Sequence, residues 1–170
     1  MAASDLLLQF IGNYNYRRTL EARFDHGLAF TEDATPTGGE VADTIQVTYS
    51  QHKSTSFAYN RGTGQYRVSQ NNEVLIDGIT EEQLQVTNVL VLLAEFRVID
   101  NEGRLTVNFS AGGRGFYASG GRIIEIRWSK ASYTAPFVYT LENGQPLELA
   151  MGTSYINIVN ASGTGGVTFE

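Results

Sequence analysis

The chain has 170 residues, enough to bury roughly 70% of its unfolded surface in one core without a disulfide or a structural metal. It carries 12 Lys and Arg against 18 Asp and Glu, a net charge of −6, and its only adjacent cations are Arg17 and Arg18, which excludes a phosphate-backbone partner such as a nucleic acid. It has no cysteine, which excludes disulfides, thiol catalysis and thiolate zinc sites.

In chain order, Ser4 and Asp5 precede Leu6, Leu7, Leu8, Phe10 and Ile11, and Gly12 follows. This predicts a short capped helix that stops at the glycine. The same stretch has no basic n-region and only a brief apolar run, so it does not read as a signal peptide. A second helical turn is expected over 15–23. Thr31 to Ala42 holds a proline, a Gly-Gly pair and three acids, the chemistry of a loop. Residues 1–42 are therefore expected to be a partly helical lead-in, 43–160 a β-rich domain and 161–170 a tail or last edge strand.

The body reads as strands joined by turns. Ile45, Val47 and Tyr49 alternate with Thr44, Gln46 and Thr48, the period of a half-buried strand. Asn60 to Gln65 is turn chemistry between two such runs, a hairpin. Thr80 to Gln83 is expected to make one helical turn. Asn88 to Ile99 is the most apolar segment and carries large apolar residues on both alternating sets, so it predicts a central strand covered on both faces. Glu95 and Arg97 interrupt it, and no run approaches the ~20 apolar residues of a membrane-spanning helix. Asn88, if buried at the start of that strand, must be hydrogen-bonded. Asp100 to Gly103 and Glu142 to Gly144 mark further turns. In Tyr155 to Val159 the expected core face is Ile156 and Ile158. The fold class is mainly β, a β-rich α+β chain. It is expected as an antiparallel sheet or barrel-like sandwich of about 8–10 strands with one or two short N-terminal helices.

Gly112 to Lys130, GGRGFYASGGRIIEIRWSK, tests this reading. Gly113-Arg114-Gly115 to Ala118 fits the loose dinucleotide fingerprint, but a Gly-Gly turn and β-branched alternation follow it instead of a helix, and no acid stands about 20 residues on. With Gly120-Gly121 as a type I′ turn, Ser119 faces Arg122, Tyr117 faces Ile124, Gly115 faces Ile126 and Gly113 faces Trp128. Trp128 can then lie over Gly113 and recover packing that the glycine lacks. Glu125 falls diagonal to Arg114, within reach of a cross-strand charge pair.

Several pieces of this sequence together resemble the C-terminal domain of the YerB-like (DUF3048) family. They are Gln83-Leu84, Asn88-Val89, Gly113 with Gly115, Gly121-Arg122, Trp128-Ser129-Lys130, Asn143-Gly144-Gln145-Pro146-Leu147, and Gly152 with Tyr155-Ile156-Asn157-Ile158. The resemblance runs from about Phe24 to Val159 and is densest after Asn88. The family pattern often places a histidine shortly before the aspartate that here is Asp77, and this chain instead reads Val74-Leu75-Ile76-Asp77. The resemblance implies a bacterial lipoprotein of two halves, of which this chain matches the second. It thus implies an extracytoplasmic, membrane-anchored setting and the N-terminal domain of the family as a partner. It implies no reaction.

Two functions follow as expectations. The first is an envelope-associated binding or scaffold module, with Tyr117, Trp128, Lys130 and Tyr155 as contact residues for cell-wall glycan or an envelope protein, because aromatics beside polar handles suit such contacts. The second is a hydrolase acting on cell-wall material, for which Asp77, Glu81 and Glu82 are the nearest acidic cluster. No catalytic residue stands out, and no cofactor or metal is expected: His26 and His52 lie far apart, whereas metal sites need several convergent ligands.

Overall fold

The computed structural model describes residues 3–19, 26–163 and 165–170. One helix, α1 (Ala3–Asn13), opens the chain. Its Leu-rich run favours helix, and it ends where Asn15 takes a positive φ of 50°. The second helical turn expected over 15–23 does not form over 15–19, and its remainder lies outside the described residues.

Among the described residues fifteen strands follow. They are β1 (Ala29–Thr31), β2 (Glu40–Val41), β3 (Thr44–Ser50), β4 (Lys53–Asn60), β5 (Gln65–Gln70), β6 (Glu73–Val74), β7 (Gln85–Val86) and β8 (Asn88–Val98), then β9 (Leu105–Asn108), β10 (Gly113–Ser119), β11 (Arg122–Lys130), β12 (Phe137–Leu141), β13 (Glu148–Ala150), β14 (Ser154–Asn160) and β15 (Gly166–Phe169). Ten of them have four residues or more. The other five are two- or three-residue pieces too short to show a period.

They build a sandwich and no closed barrel. The larger sheet runs β12-β11-β10-β8-β14, with β2 added to β11 and β9 to β8. The smaller runs β15-β3-β4-β5-β6, with β7 added to β5. Neighbours are antiparallel except for β14 on β8, and a separate two-stranded sheet pairs β1 parallel to β13. Residues 29–31 and 40–41, expected in a lead-in, are thus sewn into the sheets, and β15 makes 166–169 an edge strand on β3.

β8 lies at the centre, covered on both faces as its sequence requires. Val89 and Val91 face the smaller sheet and pack with Ile45, Val47, Phe57 and Val68. Leu90, Leu92 and Ala94 face outward into a second core with Tyr117, Ile126, Trp128 and Leu149. β14 departs in part from its expected orientation: Ile158 packs against the outer core as expected, but the better-buried face of the strand is the other one. Tyr155, Asn157 and Val159 turn toward the smaller sheet, and Ile156 is left 48% exposed. Buried Asn157 is satisfied there: it accepts from the Tyr49 hydroxyl and donates to Leu90 O at 2.9 Å. A fully paired polar group can therefore take an interior place that an isoleucine would be expected to hold.

The β10–β11 hairpin has the register read from the sequence, from Gly113↔Trp128 to Ser119↔Arg122. Gly120 and Gly121 both have positive φ, 59° and 76°, as a type I′ turn demands. A Cβ on Gly113 would come within 3.0 Å of Trp128 Nε1, so the indole does cover that glycine. Arg114 and Glu125 pair across the strands on a half-exposed face. Arg114→Ala is expected to lower stability by less than about 1 kcal/mol in urea titrations, because exposed pairs exchange solvation for little gain. A larger loss would mean the pair is anchored by more than its charge.

Candidate functional site

A cleft of about 700 Å³ opens on the outer face of the larger sheet. Tyr117 and Ile124, opposite each other on β10 and β11, form its floor together with Leu147. One side is the end of β1 and the loop that follows it, with Thr31, Asp33, Thr35 and Thr37. The other is the segment leading into β13 and its first residue, with Gln145, Pro146 and Glu148. The result is an apolar floor under a rim of hydroxyls, one amide and two carboxylates, the usual make-up of a small-molecule or glycan site.

The walls are held by local chemistry. Asp33 Oδ1 accepts from Thr35 N at 2.9 Å, a side-chain-closed turn. Hydrogen bonds from the Thr35 side chain and then its backbone hold the exposed Asp33 carboxyl below the usual range. Arg122 donates to Gly39 O at 2.8 Å, tying the end of this loop to β11. The facing wall turns back at Gly144, where Leu141 N donates to Gln145 O at 2.8 Å.

Beneath the floor lies a closed polar network. Asn88 is fully buried. Its Oδ1 accepts from the Tyr117 hydroxyl at 2.8 Å and from Ala150 N at 3.0 Å. Its Nδ2 donates to Ala150 O at 2.8 Å and to Ser154 Oγ at 3.1 Å. The network clamps β8, β10, β13 and β14 to one another and fixes the Tyr117 ring. Burial pushes the Tyr117 phenol above its ordinary pKa, so it stays a neutral donor at physiological pH.

The four contact residues expected from sequence do not form one patch. Tyr117 reaches the cleft floor but is 1% exposed, and Trp128 is 2% exposed. The Trp128 ring packs on Phe109 and Phe137, and its Nε1 donates to Leu93 O and Arg114 O at 3.2 and 3.1 Å. A role that needs an exposed ring is closed to both. Tyr155 is half-buried between the sheets, edge-on to Phe57 at 5.2 Å. Lys130 stands six residues beyond Ile124 on β11, about 20 Å away at strand rise. Its ammonium lies 5.0 Å from the Phe137 ring centre and donates to Ala135 O.

The acidic cluster named for hydrolysis is also a structural feature. Asp77 Oδ1 accepts from Ile79 N and Thr80 N, both at 2.9 Å, and these two bonds lower its pKa. Thr80 to Gln83 makes no helical turn. Glu81 takes a positive φ of 60°, and Glu81 and Glu82 point to solvent. Among the described residues no three His, Cys, Asp or Glu side chains converge as metal ligands. No helix among them is long and apolar enough to cross a membrane.

Sequence reasoning missed Asp33, Thr35, Thr37 and Glu148. Its signals for the site were Tyr117, which lines the floor, and the run Gln145-Pro146-Leu147, which the cleft brings together with that loop.

Known proteins support the fold and the lineage. The chain is 24% identical over 132 residues to "Putative lipoprotein YerB" of Bacillus subtilis (strain 168), a match that covers 76% of this chain and 38% of the relative. The crystal structure of YerB protein from Bacillus subtilis superposes with a TM-score of 0.75 at 20% identity, over 97% of this chain and 53% of that one. The chain thus spans well under two thirds of the length of either. At 20% identity the likeness speaks for the fold alone. Residues 45–156 match the family described as "Protein of unknown function (DUF3048) C-terminal domain", and the chain belongs to that family.

Proposed function

We propose that this chain is a binding module of the bacterial envelope and that the cleft over Ile124, whose floor the buried Tyr117 supports, is its ligand site. The observation that carries the reading is the cleft itself, where an apolar floor is pinned from below by a satisfied polar network and ringed by Thr31, Asp33, Thr35, Gln145 and Glu148. Such a rim matches a hydroxyl-rich ligand that offers donors to carboxylates and an apolar face to the floor, as cell-wall glycans do. The likeness to "Putative lipoprotein YerB" supports an extracytoplasmic setting. That relative's greater length supports the remainder of such a chain as a protein partner.

Hydrolysis is the weaker reading. A glycosidase needs one carboxyl kept protonated at neutral pH to act as the acid. Asp33, on the rim, is shifted the opposite way, and Asp77 is occupied in capping its turn.

The test is co-sedimentation with purified cell-wall sacculi. The wild-type chain is expected to bind saturably. The double variant Asp33→Asn/Glu148→Gln is expected to bind about tenfold or more weakly, since each lost hydrogen bond to a charged group is worth roughly 1.5–3 kcal/mol. Its melting temperature should stay unchanged, because the rim lies outside both cores. No binding by the folded wild-type chain would sink the glycan reading.

A further inference from the structure

Helix α1 stands apart from the sandwich. Leu6, Leu7, Leu8 and Phe10 are each 50–59% exposed, and no α1 residue belongs to either core cluster. Leu6, Leu7, Phe10 and Ile11 fall on one helical stripe, with Asp5, Gln9 and Gly12 opposite and Leu8 off its edge. Just past the helix, Tyr14 packs at a tilt on Phe10 and Tyr16 stacks with it, ring centres 4.6 and 6.1 Å away. Arg17 and Arg18 follow, the only adjacent cations in a chain of net charge −6.

This order of parts is specific. An eleven-residue helix is about 16 Å long, half the hydrocarbon thickness of a bilayer, so it cannot span one and can only lie along its surface. Tyrosines prefer the depth of the headgroups, and arginines beside them gain from anionic lipid. The acidic body would be repelled by the same surface, which orients the molecule with α1 down and the sandwich away. We propose that residues 3–18 form an interfacial anchor that lies in the headgroup layer of an anionic phospholipid bilayer. This inference stands independently of the cleft and its ligand.

Vesicle flotation of the full chain tests it. The chain is expected to float with phosphatidylglycerol–phosphatidylethanolamine vesicles and much less with phosphatidylcholine alone. Leu7→Glu/Phe10→Glu should cut the bound fraction about tenfold or more, since each side chain forfeits its apolar burial. Arg17→Glu/Arg18→Glu should abolish the preference for anionic vesicles. Both variants should keep the wild-type melting temperature, because α1 lies outside the cores. Absence of flotation, equal flotation on both vesicle types, or flotation indifferent to these changes would overturn the proposal. So would a concentration-dependent dimer that Leu7→Glu/Phe10→Glu dissolves while vesicles stay bare, which would assign the apolar face to a second copy.

Discussion

Trp128→Ala is expected to lower folding stability by about 3–5 kcal/mol, the range for truncating a large buried aromatic. The indole is 2% exposed and contacts Phe109 and Phe137. It is also the cover over Gly113, which has no side chain of its own to fill the space. Its Nε1 is shared between two strand carbonyls, Leu93 O and Arg114 O. Removal therefore opens a cavity and withdraws a donor from two acceptors in one step. For a chain of this size the melting temperature should fall on the order of 10 °C. Trp128→Phe should lose clearly less, since it keeps most of the ring and gives up mainly the donor. A loss under about 1 kcal/mol for the alanine variant would mean the outer core repacks freely, contrary to the geometry. As a probe of ligand binding Trp128→Ala is unsuitable, because any loss would follow from the fold.

Asn88→Leu is the second large effect. The leucine has the same branched side-chain skeleton and is somewhat bulkier, so none of the loss is cavity and some of it is crowding. The main change is that the Tyr117 hydroxyl, Ala150 N and Ala150 O lose a partner away from water, and the half-buried Ser154 Oγ loses one too. Stranded buried groups cost roughly 1–3 kcal/mol each. Some partners remain, because Ala150 N also lies 3.3 Å from the Tyr117 hydroxyl. The expected total is about 3 kcal/mol or more by urea titration. Tyr117→Phe made in the same background should then cost less than it does alone, with a coupling of about 1 kcal/mol. Strict additivity would show that the two side chains do not act as one network.

The elements that sequence resolves well are those where local chemistry and burial agree. The β10–β11 register follows from two glycines that need positive φ and from one large ring that must pair with an absent side chain. β8 follows from apolar residues on both alternating sets. β14 is misread because its alternation is ambiguous: both sets carry large apolar residues, and Asn157 argues against an interior place until Tyr49 and Leu90 O are known to satisfy it. β1, β2 and β13 have no period to read at two or three residues. The cleft is the least legible part. Thr31 to Thr37 carries only loop signals, and nothing local says that it shares a cleft with Gln145 and Glu148, more than a hundred residues later. The same holds for Tyr117, whose neighbours mark it as a strand residue on a buried face but not as a floor. Asn88 is the converse case, where one polar residue at the head of an apolar run forecast a network without naming its members.

The ends of both sheets are completed by residues 154–170. β14 joins the larger sheet on β8, and β15 reaches back to β3 in the smaller. The β3 and β8 edges that they cover lie far from them in sequence, and contacts so distant form late in folding. A folding intermediate that has not yet docked residues 154–170 therefore presents two open strand edges at once. Such edges are templates for pairing between chains, so the docking of this one segment decides between folding and aggregation.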